Sequence, residues 1–198
     1  RRDLLRGGVR CGVAACGTPP DGARRHGLPR RRRPVPGGTV LGGRDLIEIP
    51  RTEVRVIEEH ARAAFPEECC GFLLGAASEP RRVVEARRAQ NTPAEDRARR
   101  YVIDPLELLH TDEEARAKHL DLIGIYHSHP NHPAAPSEFD RSRAASWYSY
   151  VILSIQDRRP GDLTAWRFDE SGRRFEPEEI VIRSGRVAPR KPPVAGSR

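Results

Sequence analysis

The sequence predicts an α/β fold of the α+β sandwich type, flanked by a basic segment at either end. Three observations carry that prediction. Apolar runs of strand length recur along the chain, at Cys69–Leu74, Leu120–Ile125 and Tyr150–Gln156. Two stretches between them carry apolar residues at helical spacing, and turn residues separate the two kinds of segment. At 198 residues the chain has enough apolar sequence for one ordinary core and no internal repeat.

Residues 1–45 hold ten glycines, five prolines and eleven arginines against three acids. So little apolar surface cannot offset the entropy of ordering them, and the segment is expected to be a disordered basic arm. The run Arg30–Arg33 is read as a solvated part of that arm. The chain has no methionine and begins with arginine; either the sequence is a fragment or the natural start lies elsewhere, and in the second case a non-methionine start codon near Val40 would leave the arm untranslated.

Leu46–Ile49 is expected to be a short strand ended by Pro50. From Thr52 to Phe65, Val54, Ile57, Ala61 and Ala64 recur at helical spacing, with Thr52 as N-cap. The residue before a proline is biased away from the helical region, so Pro66 should stop this helix. Cys69–Leu74 follows as a strand closed by Gly75. Arg81–Gln90 reads as the next strand, residues 91–100 as a polar loop and Tyr101–Ile103 as a short strand. Asp104-Pro105 has the cap and first-turn residues of a helix, running to about His119 with Leu106, Leu109 and Ala115 toward the core. His110 and His119 lie among polar neighbours and read as surface. Beyond Tyr150–Gln156, Leu163–Phe168 and Arg174–Ile182 should pair antiparallel around Glu170-Ser171-Gly172. From Ser184 onward, glycine, proline and basic residues mark a free tail.

The net charge of +7 belongs to the two ends: the body from 46 to 183 is about −5. That body carries no charge argument for nucleic acid. No run approaches the length of a membrane span. Val13–Cys16 loosely resembles a lipoprotein cleavage site, but Arg6 and Arg10 interrupt the stretch that should be apolar. The four cysteines form no disulfide framework: Cys69 and Cys70 are neighbours on a strand and should point to opposite faces, while Cys11 and Cys16 lie in the arm. A reducing compartment, the cytoplasm, is expected.

The chemistry concentrates at Ile125-Tyr126-His127-Ser128-His129-Pro130. On a strand, residues i and i+2 share a face, so His127 and His129 present two imidazoles to one point. A proline-containing loop follows, and Ser137-x-x-Asp140 resembles a capping box that starts a helix reaching about Trp147. Asp140 then lies in the first turn, able to bend back over the loop. Two imidazoles and a carboxylate, with a fourth position for water, form the ligand set of a catalytic zinc site. His132 and its neighbour Asn131 read as loop surface.

The pattern His127-x-His129, seven residues, Ser137, two residues, Asp140 resembles the signature of the JAMM (JAB1/MPN/Mov34-type) metalloprotease family. The family adds a glutamate three residues before a glycine in an apolar strand, and Glu68-Cys69-Cys70-Gly71 is similar; Glu67 is one residue off that register. The resemblance covers about residues 46–183. It implies a JAB1/MPN-like curved mixed β-sheet flanked by helices, and one Zn²⁺ per chain on His127, His129 and Asp140. It further implies Glu68 as the acid–base carboxylate and Ser137 as the donor to the carbonyl oxygen. The implied activity is hydrolysis after the Gly-Gly end of a ubiquitin-like or sulfur-carrier protein, in the manner of the compact bacterial branch. Two other classes stay open: a non-catalytic MPN-type scaffold, which would normally have lost ligands, and a DNA-repair JAB-like protein, whose metal motif is spaced differently. The oligomeric state is not legible.

Overall fold

The computed structural model describes residues 45–92 and 95–185. The expectations for the basic arm and nearly all of the tail therefore lie outside the described residues. In chain order the elements are β1 (Leu46–Pro50), α1 (Arg51–Ala64), β2 (Cys70–Ala76), β3 (Arg81–Ala89), α2 (Pro105–Ala117), β4 (Asp121–Pro130), α3 (Glu138–Arg143), β5 (Ser149–Gln156), β6 (Arg159–Asp169) and β7 (Arg174–Arg183). The sheet is mixed, ordered β1-β3-β2-β4-β5-β6-β7, and it closes on itself because β1 pairs with both β3 and β7. The expected curved mixed sheet is present, with its curvature carried through to closure.

Strand alternation sends the two faces of β2 into different clusters of the interior. Cys69 and Leu73 join Val54, Ile57 and Ala61 of α1, together with Ile123, Val151 and Leu153. Cys70, Phe72 and Leu74 face the other way, onto Ala115 of α2 and Leu120 and Leu122. The two cysteines thus take opposite faces, as the sequence predicts. Gly71 lies where β2, β3 and β4 come together. A Cβ there would collide with the Arg87 carbonyl oxygen and the Tyr126 ring.

Several expectations need correction. Thr52 is not the cap of α1: Pro50 holds that position without a side-chain bond, and the Thr52 hydroxyl donates to Glu53 at 3.0 Å. Glu53 in turn accepts the Ala86 amide at 2.9 Å, joining the helix to β3. The helix does end before Pro66, where Phe65 turns extended with ψ 131°. Tyr101–Ile103 forms no strand. Its backbone is held by loop groups instead: Val102 donates to Asn91 Oδ1 and accepts from the Thr92 amide and hydroxyl. Asp104 caps α2 as expected, accepting from the Leu106 amide at 2.7 Å. Leu106 and Leu109, however, are 64 % and 48 % exposed, because the buried stripe runs through Leu108, Thr111 and Ala115. β2 passes Gly75 to Ala76, and α3 stops at Arg143 rather than near Trp147. Beyond it, Tyr150 Oη holds the Ala145 amide at 2.8 Å, leaving that amide unavailable to a helix.

The strand directions bring several chain ends together. β1, β3, β4, β5 and β7 run the same way, so their C-terminal ends gather at one end of the barrel, where β2 begins. Among the described residues no helix is long and apolar enough to cross a membrane.

Candidate active site

The C-terminal half of β4 lies between β2 and β5, with His127 opposite Cys70 on one side and Ile152 on the other. Its period of two places His127 and His129 on one face, and both are buried. Their Nε2 atoms stand 3.0 Å apart. The Tyr101 ring stacks on His127 at 4.5 Å between centroids.

The third group arrives through a helix cap. Ser137 Oγ accepts from the Asp140 amide at 3.1 Å, and the Ser137 amide donates back to Asp140 Oδ2 at 2.7 Å, completing the capping box. The Ser137 hydroxyl also donates to Oδ2 at 2.7 Å. So held, Asp140 places Oδ1 3.5 Å from His127 Nε2 and Oδ2 3.7 Å from His129 Nε2. One ligand atom from each residue lies within 4.8 Å of the others, and all three residues are buried.

These residues fit a metal ion. His129 Nδ1 donates to the Pro133 carbonyl at 2.8 Å, which fixes the tautomer and leaves the Nε2 lone pair facing His127 and Asp140. Three electron-rich atoms converge in a buried site, an arrangement that asks for a cation or a proton at their centre. The charges reflect it. Burial pulls His127 down against the pull of Asp140. Burial also opposes protonation of His129, but Asp140, the Pro133 carbonyl and Glu68 raise it overall. Burial disfavours the Asp140 carboxylate, yet the two histidines hold it far below the usual carboxylate range. His127 Nδ1 is buried with no partner among the described residues.

Glu68 precedes β2, only 5 % exposed. Burial, reinforced by the charges of Asp140 and Asp96 and opposed by His129, pushes its carboxyl up to about 8. A cleft of about 760 Å³ is lined by Glu68, His129 and Ser137 together with His132, Asp96, Arg99, Arg100 and Phe139. All five residues singled out in the sequence therefore gather here: three line the cleft, while His127 and Asp140 complete the ligand cluster beside His129. His132 lines it as an exposed residue, outside that cluster. Cys69 and Cys70 are buried away from it among apolar neighbours, and burial raises both thiols, Cys69 to about 11.

Sequence reasoning missed Asn91, read only as loop. Its amide donates to the Glu68 carbonyl and to the Arg100 carbonyl, each at 3.0 Å, and its Oδ1 accepts from Val102. An asparagine directly after a strand was the available signal, but its partners lie across the fold. Tyr101 was also missed as the surface against which His127 rests.

Similarities to known proteins agree with this geometry. The desampylase of Haloferax volcanii is 40% identical over 120 residues, 58% of this chain and 83% of the relative. The CysO-cysteine peptidase of Mycobacterium tuberculosis is 28% identical over 147 residues, 73% of this chain and 94% of the relative. The solution structure of a Desulfitobacterium hafniense protein superposes with a TM-score of 0.62 at 27% identity, covering 70% of this chain and 94% of that one. Residues 50–169, from the end of β1 to the end of β6 and including all five site residues, match the prokaryotic homologs of the JAB domain, and the chain belongs to that family.

Proposed function

We propose that this protein is a zinc-dependent peptidase or isopeptidase that hydrolyses the amide bond after the C-terminal Gly-Gly of a ubiquitin-like or sulfur-carrier protein. One observation carries the reading: the His127–His129–Asp140 cluster lies against a cleft that Glu68 and Ser137 also line. Family membership supports it, as do a desampylase and a CysO-cysteine peptidase among the relatives. The domain responsible is taken as 46–183, with 1–45 and 184–198 outside it. The free, buried thiols of Cys69 and Cys70 favour the reducing cytoplasm as its location.

His127 and His129 through Nε2, and Asp140 through its carboxylate, would hold the ion. Bound zinc supplies Lewis acidity, polarising a carbonyl oxygen and making hydroxide available near neutral pH. Glu68 handles the proton. A carboxyl raised to about 8 holds a proton at neutral pH and can pass it to a departing amine, while a cation at the ligand cluster favours its ionised, accepting form. Ser137 has a single hydroxyl proton, directed here to Asp140 Oδ2. Its role toward the developing oxyanion requires that proton to swing into the cleft, while the Ser137 amide continues to hold the carboxylate.

The test is mass spectrometry of a ubiquitin-like carrier extended past Gly-Gly, incubated with the full chain with and without chelator. Loss of the extension, blocked by chelator and restored by zinc, is the expected result. An intact substrate together with a metal-free protein would move the reading to a non-catalytic scaffold.

A further inference from the structure

The cleft holds two adjacent arginines that the hydrolytic chemistry does not use. Residues 96–99 form a turn, closed by the Arg99 amide donating to the Asp96 carbonyl at 3.0 Å, with Asp96 at φ 58°. This turn is tied to the backbone of Glu68 itself. The Glu68 amide donates to the Arg97 carbonyl at 2.7 Å, and the Asn91 amide bridges the Glu68 and Arg100 carbonyls. Whatever positions Glu68 therefore positions the arginines that line the cleft beside it.

The two arginines are not equivalent. Arg100 is occupied, 3.6 Å from the Asp96 carboxylate and lying over the Phe139 ring at 5.3 Å. Arg99 is exposed in the cleft and has no acidic partner among the described residues. A substrate that ends one residue past Gly-Gly carries a formal negative charge close to the scissile bond: the α-carboxylate of the departing residue. An isopeptide conjugate to a lysine side chain carries none there. A guanidinium matches a carboxylate with two parallel hydrogen bonds.

We propose that Arg99 binds the free α-carboxylate of the departing residue, making the preferred substrate a carrier tail extended by a single amino acid rather than a protein conjugate. This rests on the peptidase reading of the site.

The experiment uses the full chain and a ubiquitin-like carrier whose Gly-Gly end is extended by one cysteine or one alanine. Each is made as the free acid and as the C-terminal amide. The wild-type protein should cleave the acid with a kcat/KM about tenfold or more above the amide, the scale of one charge-assisted pair. Arg99→Gln should bring the two substrates together by slowing the acid far more than the amide, and Arg99→Lys should recover part of the difference. Equal rates on acid and amide in the wild type would overturn the proposal and leave the peptidase reading standing. A preference that survives Arg99→Gln would overturn the assignment to Arg99. Failure to cleave any of the four substrates would remove the peptidase reading, and this inference with it.

Discussion

At the residue scale, Glu68 and Ser137 are distinguished by how each is held. Glu68 owes its raised carboxyl first to burial, and its backbone is fixed by Arg97 and Asn91. Glu68→Gln keeps the shape and removes the carboxyl proposed to carry the proton. It should cost about 10²–10⁴ in kcat with metal content unchanged by elemental analysis; a normal rate would take Glu68 out of the mechanism. Ser137 holds the Asp140 carboxylate twice, once through its amide and once through its hydroxyl, and the hydroxyl also accepts the Asp140 amide. Ser137→Ala therefore leaves the amide to orient the carboxylate. As an oxyanion donor Ser137 predicts a loss of about 10²–10³ in kcat with the metal retained. Loss of metal with little change in kcat per bound metal ion would make it a cap alone.

At the element scale, local pattern and tertiary position part company. The His127–His129–Asp140 cluster was legible because a two-residue strand period and a three-residue cap place it within fourteen residues of chain, and no distant partner is needed to orient it. Asn91 was illegible for the opposite reason. Only the pairing of β2 with β3 brings it to Glu68, and nothing near it in sequence announces that contact. The phase of α2 failed similarly. Leu106, Leu108 and Leu109 offered three candidate faces, and the choice fell to Leu108 through the neighbouring strands.

The same scale holds a pH-sensitive contact. His60 on α1 meets the Tyr126 hydroxyl of β4 at 2.9 Å. Burial, assisted by the nearby Arg88 charge, lowers the His60 imidazole to about 4. Because this lies below the unfolded value of about 6.5, protonation favours the unfolded chain. His60 thus costs nothing above about pH 6.5, and its penalty accumulates as pH falls from there toward 4. His60→Gln removes the titration. Chemical denaturation at pH 7 and pH 4.5 should show the wild type losing about 1–2 kcal/mol more than the variant over that interval, solvent screening of the half-buried ring reducing the full effect. Parallel losses would show that His60 does not titrate in that window.

At the scale of the whole molecule, closure of the sheet depends on a short strand. β1 has five residues and joins β3 to β7, and Glu48 at its middle bridges both neighbours. Its Oε2 meets Arg82 at 3.1 Å and its Oε1 meets Arg183 at 2.6 Å. Both arginines are substantially exposed, so the pairs contribute modestly. Glu48→Gln should lower stability by about 1 kcal/mol, seen as a smaller urea midpoint with the slope m unchanged. A reduced m would mean that the seam opens in the variant. The mixed strand pattern was readable in sequence, but the closure was not. It depends on pairing residues 46–50 with 179–183, more than a hundred positions apart, and no local spacing encodes that register.

The parallel register of that seam also separates the two ends of the folded body. Leu46 sits opposite Glu179 and Pro50 opposite Arg183, so the chain enters β1 at one rim of the barrel and leaves β7 at the other. The departing rim is the one toward which β4 carries His127 and His129. A molecule anchored to a resin or sensor chip just ahead of Asp45 would hold its cleft away from the support. One anchored just after Gly185 would bring the linker to the rim where a folded carrier must dock.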